Sequence, residues 1–169
     1  TRGADIVTES LQLQAMTGVG DDGLASDPAL SEDPNGIPTA DSTMRAQISG
    51  SAIDTEIRLL AASNAANGDI RIHNSVGGLL TIGTVNGLSG ITNADSVLGG
   101  GIIQITNESP ISIGDLNPTD ATTAQGVFNT SGGSIVITAI NSDGQDDITV
   151  NSPVRASGGN GSIVLNAGD

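Results

Sequence analysis

Short stretches in which aliphatic residues alternate with polar ones recur along the chain, each after one or more glycines. They occur as NGDIRIHN at 67–74, GGGIIQITN at 99–107, SGGSIVIT at 131–138 and GGNGSIVLN at 158–166. Alternation with a period of two is typical of a β-strand with one face turned to a core. Alignment of the four stretches makes Ile70, Ile103, Ile135 and Ile163 equivalent, at spacings of 33, 32 and 28 residues. The pattern predicts a strand repeat of about 30 residues.

Each repeat contains a second strand and a shorter third piece. The second strands are predicted at 79–85, 110–116 and 146–156, and the third pieces at 89–92 and 126–128. Two or three short strands with glycine corners, in about 30 residues, suit one turn of a right-handed parallel β-helix, or β-solenoid. Successive turns would pair at about 4.8 Å and stack their Ile and Val side chains inside the tube. We therefore predict an all-β chain whose residues 46–169 form such turns.

An antiparallel β-sandwich is the alternative architecture. It requires tight hairpins between most consecutive strands. Asn86-Gly87 and Asp143-Gly144 are dipeptides that favour such hairpins. The pattern alone leaves both architectures open.

Residues 54–66, DTEIRLLAASNAA, fit either a helix or a strand. A helix would place Ile57, Leu60 and Ala61 on one face, whereas a strand would place Ile57, Leu59 and Ala61 on one side. The strand is favoured because the neighbouring repeats are all strand-like.

The first 45 residues divide into two parts. Residues 1–16 contain Leu11, Leu13 and Ala15 in alternation, which predicts a strand of a preceding turn. Residues 17–45 contain three prolines and six acidic residues without alternation, which is typical of a protruding loop or a linker. Because the chain stops just after a predicted strand, we expect it to be a piece of a longer protein.

Composition restricts the core and the partners. Phe128 is the one aromatic residue, and Trp, Tyr, Cys and Lys are absent, so an aliphatic core is expected. Nineteen acidic residues against five arginines give a net charge of −14, which argues against a nucleic-acid partner because phosphate binding needs clustered basic residues. No apolar run reaches the roughly 18 residues of a membrane span.

Candidate catalytic groups are few. His73 is the single histidine, and its strand phase, opposite to that of Ile72, predicts an outward surface position. Arg71 is expected to form a surface ion pair with Asp69 or Glu56. The serine-hydrolase, zinc-protease and phosphate-loop motifs do not occur. We predict that the chain is not an enzyme and has no organic cofactor.

One acidic segment is a candidate cation site. Asp143, Asp146 and Asp147 lie around a glycine in NSDGQDD at 141–147, and carboxylate oxygens at such spacing are ligands for Ca²⁺. The segment lacks the full EF-hand spacing and the glycine-rich repeats of Ca²⁺-binding β-rolls. A solvated turn is the alternative for these three residues.

The stretch GDIRIHNSVGGLLTIGTVNGLSGITNADS at 68–96, followed by GGSIVITA and GSIVLNAG, resembles the strand repeats of giant bacterial surface and secreted proteins of the filamentous-haemagglutinin and autotransporter-adhesin type. The resemblance covers about 46–169. It implies a right-handed β-solenoid that serves as a stalk, fibre or adhesive surface outside the cell. The periods here are longer and less regular than those of that family.

These features predict a structural segment of an extracellular bacterial surface protein, filament or biofilm-matrix fibre. Such a segment assembles with itself or continues into neighbouring turns of the same chain, because a solenoid end exposes unpaired strand edges. The alternative is an adhesin module that binds surface glycans or Ca²⁺ through the 17–45 loop.

Overall fold

The computed structural model describes residues 4–16, 18–19, 52–66, 68–94, 101–114, 125–140 and 146–168, and these residues form strands and no helix. In chain order the strands are β1 Ile6–Val7, β2 Ser10–Ala15, β3 Ile53–Glu56, β4 Leu59–Asn64, β5 Ile70–Asn74, β6 Leu80–Ile82, β7 Thr84–Val85, β8 Leu88–Ser89, β9 Ile91–Asn93, β10 Ile103–Asn107, β11 Ile111–Ile113, β12 Val127–Asn129, β13 Ile135–Ala139, β14 Ile148–Val150, β15 Val154–Ala156 and β16 Ile163–Ala167.

Two large sheets contain all of these strands except β7 and β8. Sheet A has the order β1-β3-β5-β10-β13-β16, and sheet B has the order β14-β11-β6-β4-β9-β12-β15, with β2 also paired to β4. Each strand of sheet A before β16 is followed in the chain by one or more strands of sheet B, and the next strand of sheet A lies beside the previous one. Parallel neighbours need a crossover of this kind, because a tight hairpin joins only antiparallel strands.

Strand register confirms the predicted equivalence of the isoleucines. Ile103 lies opposite Ile70 on one side and Ile135 on the other, and Ile135 lies opposite Ile163. The next inward row of sheet A consists of Ile72, Ile105, Ile137 and Leu165. An unchanged register in successive pairs keeps the same face of the sheet turned to the core.

Sheet B supplies the facing rows of the same core. Its strand β4 pairs through its first half with β6 and through its second half with β9, while β2 pairs along its whole length. The rows continue through β11 and β14 on one half and through β12 and β15 on the other. The buried cluster is aliphatic, as the composition predicts.

The antiparallel alternative is wrong for the described strands, because every pairing except that of β7 with β8 is parallel. Asn86 and Gly87 do form the predicted hairpin, with φ angles of 49° and 87°. Positive φ at both central residues is the requirement of the hairpin turn that matches strand twist. Asp143-Gly144 lies outside the described residues.

Residues 54–66 are extended, but the side that faces the core changes at a corner. Ile57 is buried between β3 and β4. Within β4 the core cluster contains Leu60 and Ala62 but not Leu59, so the prediction that Leu59 lies on the same side as Ile57 is wrong. The chain bends at this corner, so the alternation of inward and outward residues in β4 is shifted by one residue. A shift of one residue exchanges the two faces of a strand.

The acidic segment 17–45 lies outside the described residues except for Gly18 and Val19. Val19 forms an isolated parallel bridge with Ile70. Two residues further along β5, Ile72 lies opposite Ile53 of β3. Val19 and β3 therefore both pair with β5, one after the other along that strand.

Two rows of asparagines are buried at strand ends. In sheet A, Nδ2 of Asn74 donates to Oδ1 of Asn107 at 2.7 Å, and in sheet B, Nδ2 of Asn64 donates to Oδ1 of Asn93 at 3.1 Å. Asn129 continues the second row in register. All five side chains are fully buried, and their hydrogen bonds satisfy the polar groups that burial removes from water.

Each asparagine also bonds to a corner, either the one that follows its own strand or the equivalent one in the preceding turn. Nδ2 of Asn107 donates to the carbonyl oxygens of Ser109 at 2.8 Å and of Pro110 at 2.9 Å. Because water does not reach these buried carbonyls, the side-chain amide supplies a donor in its place. The rows end in register at Ala139 and Ala156, which have no side-chain donor.

Candidate functional site

The outward side of sheet A carries ion pairs. Nε and Nη2 of Arg71 both lie 2.7 Å from Oδ2 of Asp69, and Nη1 donates to Oε1 of Gln104 at 2.8 Å. Oδ1 of Asp69 accepts from the main-chain N–H of Ile102 at 2.8 Å. The predicted pairing of Arg71 with Asp69 is confirmed. The bonds of this pair to Gln104 and Ile102 connect it to the neighbouring strand β10 and the residue before it.

His73 lies on the same outward side, as predicted, between two carboxylates. Its Nδ1 is 3.1 Å from Oδ1 of Asp54, and its Nε2 is 3.5 Å from Oε1 of Glu108. Because the two ring nitrogens face different carboxylates, the three side chains do not converge on one point. Within the described ranges, no group of three or more His, Cys, Asp or Glu residues could hold a metal ion.

A shallow groove of about 240 Å³ lies on the outer side of sheet B. Nε2 of Gln125 donates to Oγ1 of Thr84 at 3.3 Å on its wall, and Thr84 also bonds to the hydroxyl of Ser89 at 2.9 Å. Its lining residues are Arg58, Leu59, Thr81, Gly83, Thr84 and Gln125. Hydroxyl, amide and guanidinium groups of this kind can bind a polar ligand such as a saccharide.

The three predicted metal ligands have different outcomes. Asp143 lies outside the described residues. Asp147 is exposed, and its main-chain oxygen accepts from the N–H of Ile111 at 2.9 Å. Asp146, directly before it, is only 6% exposed. The structure thus describes one buried and one solvated carboxylate at this corner.

Apolar side chains are exposed at one end of the two sheets, which we call the strand stack. Ile163 and Leu165 continue the inward rows of β13, yet they are 44% and 41% exposed, whereas Ile135 and Ile137 are fully buried. We use the name open face for the inward side chains of the last described strands, which are Ile148, Val150, Val154, Ile163 and Leu165.

The open face is accompanied by free strand edges. β14, β15 and β16 each pair on one side only within the described part of the chain, and at the opposite end of the stack the same holds for β1 and β2. An unpaired edge presents main-chain N–H and C=O groups that can pair with another strand. The candidate functional site is therefore this end of the described strands, where free strand edges lie beside an apolar patch.

No helix in the described ranges is long and apolar enough to cross a membrane. Comparison of the chain with protein-family models, with curated proteins and with solved structures gave no match.

Proposed function

We propose that the chain is a structural β-solenoid segment, wound as a right-handed parallel β-helix, that extends by stacking copies of itself end to end. The observation that carries this proposal is the open face, where the rows of the core arrive in unbroken register and remain exposed to solvent. In a stacked architecture each layer contacts mainly its two neighbours, so the stack grows by repeating one interface.

A second copy fits both ends of the stack. Sheet B begins with the six-residue strand β2 and finishes with β14 and β15, which continue the two halves of β4 to which β2 is paired. Sheet A begins with β1 and finishes with β16. In the proposed contact, β16 of one copy pairs in parallel with β1 of the next, and β14 and β15 pair in parallel with the two halves of β2.

Charge favours growth along the stack over lateral association. The net charge of −14 repels copies that approach side by side, whereas the inward rows at the ends are uncharged. The proposed setting is a bacterial cell surface or extracellular matrix, as the resemblance to haemagglutinin-type repeats implies. A chain without cysteine folds in such an oxidising setting without disulfides.

Glycan adhesion is a second candidate function, which the groove on sheet B favours. The side chain of Arg58 in this groove is 56% exposed; its Nε lies 3.7 Å from Oε2 of Glu9, and its other N–H groups can pair with the carboxylate of an acidic sugar. Adhesion through the groove would not require the open face, so loss of assembly would leave glycan binding intact.

Replacement of Leu165 by Asp tests the proposed assembly. Because an interface at the open face would bury the new carboxylate without a partner, we expect Leu165→Asp to remain monomeric at concentrations where the parent chain forms larger species. The measurement is sedimentation velocity over a concentration series, with circular dichroism to verify folding.

Val164→Asp is the matched control. Val164 is the preceding residue of β16, is 38% exposed and continues the outward row of Val136. It adds the same charge on the solvent side, so we expect it to assemble like the parent chain. Equal assembly of the two variants, or a parent chain that stays monomeric throughout, would contradict the proposal.

A further inference from the structure

Asp146 is a buried acidic side chain whose Oδ2 accepts no hydrogen bond from any described residue. The residue is 6% exposed, so water cannot readily solvate the carboxylate. Its Oδ2 faces the main chain of Gly168, where an added Cβ would lie 3.0 Å from this oxygen and 3.5 Å from the carbonyl oxygen of Ala139. Two oxygens from the same corner, between β13 and β14, therefore lie close to one backbone position that follows β16.

The place of Asp146 in the stack explains why this corner lacks a donor. The Pro110 carbonyl accepts from the N–H of Leu80, and the Asp147 carbonyl accepts from the N–H of Ile111, the residue that lies opposite Leu80. Asp147 therefore corresponds to Pro110 in the next turn of the chain, and Asp146 corresponds to Ser109. In the earlier layer, the Asn107 amide donates to the Ser109 and Pro110 carbonyls. In this layer Asn107 is replaced in register by Ala139.

A corner that gains a carboxylate and loses its amide donor is rich in oxygen, and no residue that the structure describes supplies it with a positive group. A buried carboxylate oxygen without a partner is unfavourable unless a cation or a hydrogen-bond donor approaches it. The geometry points to a divalent-cation site at Asp146, in which Ca²⁺ takes the part that the Nδ2 group of Asn107 plays in the layer before.

Ca²⁺ is the cation that suits this donor set. It binds carboxylate and main-chain carbonyl oxygens, completes its shell with water and tolerates irregular geometry, whereas Mg²⁺ requires a near-ideal octahedron. The Asp146 carboxylate is the anchoring ligand, and the Ala139 carbonyl, which accepts one hydrogen bond from the N–H of Gly168 at 3.1 Å and keeps a second lone pair, is a further oxygen at the same corner. A site with one anchoring carboxylate binds weakly, with a dissociation constant in the range of about 0.1–1 mM found for extracellular modules.

Asp146→Asn tests the site, because the amide preserves the shape of the side chain and supplies the missing donor. In calorimetric titration of the chelator-treated protein, we expect saturable Ca²⁺ binding by the parent chain and at least about a tenfold lower affinity in the variant. Thermal unfolding followed by circular dichroism gives a second readout. Ca²⁺ should raise the midpoint of the parent chain, while Asp146→Asn should unfold at a higher temperature than the Ca²⁺-free parent and respond little to Ca²⁺.

Glu56→Gln is the control, because it removes the same charge at an exposed position of β3. It should retain the parent affinity and the rise in midpoint. Equal Ca²⁺ responses of Asp146→Asn and Glu56→Gln would assign the binding to general attraction by the acidic surface and would overturn the site. Absence of saturable Ca²⁺ binding by the parent chain would overturn it as well.

Discussion

Asn107→Asp lowers the free energy of unfolding by about 3–5 kcal/mol, the cost of an uncompensated buried charge. Oδ1 of Asn107 accepts from Asn74, and its Nδ2 faces three carbonyl oxygens, those of Gly78 at 3.4 Å, Ser109 at 2.8 Å and Pro110 at 2.9 Å. Aspartate keeps the acceptor but puts a negative oxygen against the three carbonyls. The change is nearly isosteric, so packing contributes little to the loss.

Urea unfolding followed by circular dichroism measures this effect. Asn166→Asp makes the same chemical change on β16, where Asn166 is exposed, and we expect it to alter stability by no more than about 0.5 kcal/mol. If the two variants unfold at the same urea concentration, the buried asparagine row does not hold the corners as described.

Ile105→Ala should cost about 2–5 kcal/mol through the lost burial and the cavity left behind. Ile105 has no exposed surface and lies in register between Ile72 and Ile137, so its side chain contacts the layers on both sides. Because the neighbouring rows are fixed by strand pairing, the cavity can collapse only partly.

Thr106→Ala is the control for the isoleucine row. Thr106 is the next residue of β10, faces outward and lies opposite His73 and Thr138. We expect an effect near 0.5 kcal/mol or less. A loss for Thr106→Ala as large as that for Ile105→Ala would mean that the inward and outward faces have been assigned the wrong way round.

The alternation of residues could predict the isoleucine rows but not every face. Ile70, Ile103, Ile135 and Ile163 are in register because each begins a strand after a glycine corner, and that signal is local. The phase of β4 could not be predicted in the same way. It depends on the corner at Ile57, which has no glycine to mark it in the sequence.

The asparagine rows and the corner at Asp146 were not predicted, although part of the signal is visible. Asn74 and Asn107 have the same phase as the inward isoleucines of their strands, so strict alternation already places them in the core. Asparagine is typical of turns, and that preference conceals an inward position at a strand end. Burial of Asp146 depends on Ala139 and Gly168, which only the stacked layers bring near it.

The most direct test of end-to-end assembly is cryo-electron microscopy of the purified chain at increasing concentration. We expect filaments one stack wide that lengthen without thickening, with a layer line at about 4.8 Å from strands perpendicular to the long axis. Discrete particles of constant length at every concentration, or ribbons that widen as they grow, would contradict the proposed assembly through the open face.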